Sequence, residues 1–216
     1  MKKIITWMIT LLLLVSCWEE KPTLVDIVVE EGEKIQILAL WDSITAWYNL
    51  PIDDAYPAQL EWLLGADYEL INAWVSWDTS IQLLNRLDLY IDDNENLPEL
   101  AIVTIGWNDG LRWQSLEDLE TNINTIISRL KEKNIPVVLS GMRIPINLWF
   151  NYSIDFKNLY EKIAKDNDVY FLEHFLKDVE GIASLNLSDR IHPNKQGYEI
   201  IAKNMYDFLK DEKLVK

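Results

Sequence analysis

Three polar motifs with the residue types needed for acyl transfer stand just beyond, or just before, apolar segments: Trp41-Asp42-Ser43, Gly106-Trp107-Asn108-Asp109 and Asp189-Arg190-Ile191-His192-Pro193. A serine hydroxyl becomes a nucleophile when a neighbouring base removes its proton, and imidazole is the side chain suited to that near neutral pH. The chain has two histidines, so two candidate bases. His174 lies in the apolar run Phe171 to Leu176 and reads as a packed histidine at the edge of a strand or helix. His192 has a carboxylate three residues earlier, and Asp189 at that spacing can fix the imidazole tautomer and stabilise the imidazolium formed when the base is protonated. Ser43 is then the nucleophile. Taken alone, Asp-x-x-His is a weak pattern; the three motifs together, in this order, are what single it out. Asp42 reads as a brace of the nucleophile turn, Asp109 and Arg112 as loop supports, and Arg143 as a rim residue that pairs with a carboxylate. Tyr48, Tyr56, Tyr152 and Tyr160 read as core or rim aromatics.

Short apolar strands alternating with helices must position these groups. Strands are expected at 34–40, 68–73, 100–105, 136–140 and 169–172, and helices at 56–64, 80–91, 115–133, 153–168 and 194–210. The helix at 115–133 is the clearest, with Leu116, Leu119, Ile123, Ile126, Ile127 and Leu130 at helical spacing. The alternation predicts a three-layer α/β/α domain around a five-stranded parallel sheet, whose ligand site lies beyond the carboxyl ends of the strands. Ser43 and Asn108 fall on such exits.

Composition bounds the partners. The 216 residues carry 35 Asp+Glu against 20 Lys+Arg, a net charge of −15. Nucleic acid is excluded as a partner, since binding phosphate needs clustered Lys and Arg. One Cys excludes an intrachain disulfide, and two His with one Cys leave too few ligands for a structural zinc site; no metal or cofactor is expected. Lys2 and Lys3 precede an apolar run, Ile4 to Val15, that is too short for a membrane span and suits the core of a signal peptide. It ends in Leu14-Val15-Ser16-Cys17, which resembles the bacterial lipoprotein cleavage box and so implies lipidation at Cys17. The expected organisation is a signal peptide and lipobox at 1–17, an acidic tether at 18–33 and one domain at 34–212, held by its lipid to the outer face of a bacterial cell membrane.

The segments WDSITAWYNL, INAWVSWDTS, IGWNDGLRW and DRIHPN resemble the ordered blocks of the SGNH (GDSL-type) hydrolases, in particular the arylesterase, thioesterase and lysophospholipase branch, whose blocks read GDSxTAGYG, NAGVSGDTS, GGNDGLRG and DGIHPN. The resemblance runs from about Ile35 to Leu209. It implies a flavodoxin-like SGNH hydrolase fold and an esterase working through an acyl-serine on a small acyl ester. Ser43 carries over as nucleophile, His192 as base and Asp189 as its orienting carboxylate. The implied oxyanion hole comprises the Ser43 backbone N–H, the Asn108 side-chain amide and the backbone N–H at position 77, a glycine in the family and Trp77 here. A carbohydrate or cell-wall O-acetyl esterase would use the same residues, and a non-catalytic binding lipoprotein is the alternative if the tryptophans are genuine.

The departure from those blocks is systematic. Trp41, Trp47, Trp74, Trp77, Trp107 and Trp113 stand where the family pattern has glycine, with Trp149 a seventh. The chain has seven glycines and ten tryptophans, together 17 of 216 residues, which matches the roughly 7% glycine of an average protein. One decoding rule accounts for every case: a source that reads UGA as glycine, against a translation that reads it as tryptophan. The alternative is a literal Trp-rich chain with indoles filling the cleft.

Overall fold

The computed structural model describes residues 33–42, 51–94, 96–144 and 150–216. The leader with Cys17, the tether up to residue 32, Ser43, Trp47, Tyr48 and Trp149 lie outside the described residues. Five strands, β1 (Ile35–Trp41), β2 (Tyr68–Trp74), β3 (Leu100–Thr104), β4 (Val137–Ser140) and β5 (Tyr170–Leu172), form one parallel sheet in the order β2-β1-β3-β4-β5. β3 and β4 are buried at every residue, as expected of strands covered on both faces.

Helices supply the two covering layers. α1 (Tyr56–Leu64) packs on α7 (Lys195–Asp211), and α5 (Leu116–Glu132) packs on both α2 (Ser80–Arg86) and α6 (Phe150–Asp166). Parallel crossovers are right-handed. The β1-to-β2 step runs one way along the sheet and the later steps run the other, which places α1 on the face opposite α2, α5 and α6. α5 buries Leu119, Ile123, Ile126, Ile127 and Leu130, and the Ser115 side chain accepts from the Asp118 N–H at 3.3 Å to cap it.

The expected helix at 80–91 is two segments. α2 ends at Arg86 and α3 (Asp88–Ile91) follows, because the Leu87 N–H bonds back to Leu84 rather than Leu83 and so tightens the turn. A short helix, α4 (Trp107–Leu111), occupies what the sequence presents only as a loop, and α6 starts at Phe150, earlier than its apolar spacing suggests.

Gly141 closes the end of β4. Its N–H donates to Leu172 O at 2.7 Å, and a Cβ there would lie 2.2 Å from the backbone oxygen of Glu173. Neither backbone can retreat without breaking the β4–β5 pairing. Gly141→Ala should therefore cost about 1–3 kcal/mol or more in urea unfolding, and a loss under 0.5 kcal/mol would show that this edge of the sheet yields freely.

Candidate active site

Strand order reverses at β1, so the chain leaves the carboxyl ends of β1 and β3 in opposite directions and opens a crevice between them. Trp41 and Asp42, at the end of β1, and Trp107-Asn108, just beyond β3, lie at those two ends. β1 ends at Trp41, Asp42 is buried behind it, and Ser43 follows in sequence, outside the described residues.

The histidine loop is a closed turn. Asn186 and Pro193 form an antiparallel bridge, Leu187 N–H donates to His192 O at 2.7 Å, and Arg190 takes a left-handed φ of 59° at the tip. Inside that turn Asp189 Oδ1 accepts from the backbone N–H groups of Ile191 and His192 at 2.9 and 3.0 Å, while Asp189 Oδ2 lies 2.8 Å from His192 Nδ1. That contact assigns the proton to Nδ1, which puts the basic lone pair of the neutral ring on Nε2. Burial by itself pushes the Asp189 carboxyl up, but the hydrogen bonds from Ile191 and His192 and the charge of His192 outweigh it, and the carboxyl sits below its ordinary range. The buried Tyr198 phenol is raised by burial first and then by the negative charges of Asp189 and Asp42, so one ring on α7 feels both the histidine loop and the residue preceding Ser43.

Asn108 is buried on α4 and donates through Nδ2 to the Asp78 carbonyl at 3.0 Å. An amide nitrogen carries two N–H groups, so this bond fixes the plane of the amide while leaving it a second donor. Gly106 makes the approach possible: its φ is 109°, and a Cβ would lie 2.1 Å from the Tyr160 hydroxyl, which donates to Ile105 O at 2.7 Å. Asp109 turns the other way, accepting from Ser80 N–H and Oγ–H at 2.9 and 2.6 Å, with Asn122 donating to Ser80 Oγ. Burial raises its carboxyl despite those bonds. Trp77 has φ 69° and an exposed indole, and its carbonyl accepts from Arg112 Nη2 at 3.1 Å.

Asp109 and Arg112 thus support loops, and Arg143 pairs with Glu173 at 3.0 Å. His174 is mostly buried beside Glu180, 3.0 Å from its carboxylate. Sequence reasoning passed over Asp78 and Arg86. Arg86 Nε meets Asp78 Oδ2 at 2.6 Å, both side chains being largely buried. The available signal is that Arg86 is the only basic residue between Lys34 and Arg112.

Residues 39–200 match the GDSL-like lipase/acylhydrolase family. The chain belongs to that family. It is 32% identical to an arylesterase of Vibrio mimicus over 171 residues, 78% of this chain and 84% of the relative. It is also 32% identical to thioesterase 1/protease 1/lysophospholipase L1 of Escherichia coli K12, over 77% of this chain and 79% of the relative. Among solved structures, the psychrotrophic esterase EstA of a Pseudoalteromonas species, inhibited by monoethylphosphonate, superposes with a TM-score of 0.77 at 30% identity, covering 82% of this chain and 98% of that one. The GDSL-like chain is accordingly an ester hydrolase on the SGNH fold.

Because its folded-state pKa is depressed, ionised Asp189 stabilises the fold above the ordinary aspartate value, and that stability is lost as pH falls through the lowered one. The stability gap between the parent and Asp189→Asn, read by denaturant unfolding, should hold at neutral pH and close below about pH 4. A gap independent of pH would show that the carboxylate charge has no part in holding the turn.

Proposed function

We propose that the chain hydrolyses neutral carboxylic esters, of short-to-medium acyl, aryl ester or lysophospholipid type, through an acyl-Ser43 intermediate. The observation that carries this reading is the 2.8 Å contact between Asp189 and His192 Nδ1, which leaves Nε2 as the proton-accepting nitrogen. His192 takes the Ser43 proton as Oγ bonds to the substrate carbonyl carbon. The resulting oxyanion is held by the backbone N–H groups of residues 43 and 77 and by the Asn108 amide. Collapse breaks the ester C–O bond, and the departing alkoxide leaves with the proton from His192. Water then repeats the sequence on the acyl-serine, with His192 as base, and releases the carboxylic acid and the Ser43 hydroxyl.

A surface of net charge −15 offers no attraction for anionic carriers, which favours neutral esters over phosphate-bearing thioesters. The proposal extends to the N-terminus. Lipidated Cys17 with the acidic tether at 18–33 would hold the 34–212 domain at the outer face of a bacterial membrane, and Cys17→Ser should then move the protein from the membrane fraction into the soluble one.

On the protein as its source cells make it, Asn108→Ala should lower the turnover of p-nitrophenyl acetate by about 10²–10³, the usual cost of one oxyanion donor. Ser43→Ala should abolish both turnover and fluorophosphonate labelling. Retention of most of the esterase rate after Ser43→Ala would remove the assignment.

A further inference from the structure

We propose that Arg86 is a positioning residue for the oxyanion hole, acting through Asp78 on Asn108; this rests on the esterase reading above. Its guanidinium is a planar fork whose donors have fixed directions. Nε is committed to the Asp78 carboxylate at 2.6 Å, Nη1 donates to the Tyr90 hydroxyl at 3.2 Å, and Nη2 reaches the carbonyl of Trp41 at a long 3.5 Å. Asp78 presents a different atom to Asn108, its own backbone oxygen, at 3.0 Å. One residue thus has its side chain gripped by Arg86 and its carbonyl gripping the Asn108 amide. The same guanidinium touches the last residue of β1, two positions before Ser43. The exits of β1, β2 and β3 are tied through a single cation, in a stretch of sequence that has no other.

A double-mutant cycle tests this on the chain with the residues its source cells insert. Arg86→Met should lower kcat for p-nitrophenyl acetate by about tenfold or more with KM held within about twofold, since the amide is mis-set in the transition state while substrate binding is untouched. In an Asn108→Ala background the same change should cost little, because the group it positions is gone. Arg86→Lys, which keeps the charge and loses the fork, should recover only part of the rate. Equal losses in both backgrounds, or no loss in the parent, overturn the proposal. If Arg86→Met does not fold, Asp78→Asn read in both backgrounds separates the same outcomes. Failure of the esterase reading itself would be seen separately, as activity surviving Ser43→Ala.

A different observation carries a second inference: we infer that residues 77 and 113 are glycine in the native polypeptide, encoded by UGA. Trp77 and Trp113 lie at φ 69° and 55°, in the left-handed region that bulky L residues seldom occupy. Most other residues there suit it better: Asn134, Asp168 and Asp178 have short polar side chains able to bond locally, and Gly65, Gly106 and Gly181 have no Cβ. The Trp77 and Trp113 indoles are 55% and 44% exposed, and Trp113 sets its ring 5.4 Å from that of Tyr152, so packing offsets the strain little at 77 and only in part at 113. Among the described residues, Trp41, Trp74, Trp77 and Trp107 lie at or within three residues of the ends of β1, β2 and β3. Trp41 is different, being fully buried in ordinary strand geometry with its indole N–H donating to Asn72 at 2.8 Å, and the inference does not rest on it.

Trypsin cuts after Arg112 and Arg129, so residue 113 begins the peptide 113–129, and residue 77 lies in the peptide 35–86. Peptides from the protein isolated from its source cells should have the mass of glycine at 77 and 113, and the gene should read UGA there. An indole mass at either position, or UGG codons, overturns the inference. Neither measurement depends on catalysis.

Discussion

β1 is hydrogen-bonded on both sides, and the chain departs from it toward β2 first and toward β3, β4 and β5 afterwards. That reversal is the constraint from which the site follows. Helices reached in opposite directions must cover opposite faces, which leaves the carboxyl end between β1 and β3 uncovered. A motif placed after β1 and another after β3 then both leave the sheet at that edge whatever the helices contain. The third motif, after β5, comes back through the pairing of α7 with α1, and Tyr198 on α7 senses Asp42 and Asp189 together.

Polar groups at this edge are arranged in chains rather than pairs. Asn108 is held by a carbonyl, the residue bearing that carbonyl is held by Arg86, and Asp109 beside it is held by Ser80 and, through it, Asn122. Asn108 and Asp109, beyond β3, are thus tied to Asp78 and Ser80, beyond β2, so the two loops constrain one another. An amide whose plane is fixed before substrate arrives need not reorganise as negative charge develops.

The sheet was legible in the sequence because strands covered on both faces must be largely apolar, and LAIVT and VVLS are, save for Thr104 and Ser140, whose hydroxyls bond each other at 2.9 Å. α5 was legible because one face alone is buried. Less could be read where a property depends on a short run or a distant partner. α4 has five residues, too few to display a period, and the break at Leu87 turns on a single backbone hydrogen bond. The Asp189–His192 contact was accessible because three residues and one turn contain it. The Asp78–Arg86 pair was not, since its eight-residue separation acquires meaning only when the intervening loop and helix have folded. Its trace in the sequence is a negative one, the scarcity of other cations nearby.

Burial of that pair also sets how the molecule meets salt. The Arg86 and Asp78 side chains are 14% and 6% exposed, whereas Lys203 and Asp207 on α7 are 64% and 51% exposed. At about 0.15 M ionic strength the screening length is about 8 Å, and it shortens further in brine, so peripheral pairs fade while one shielded from solvent keeps its strength. Counterions at the same time relieve the mutual repulsion of a strongly anionic exterior. Concentrated electrolyte therefore slackens the rim of this molecule and leaves its centre braced.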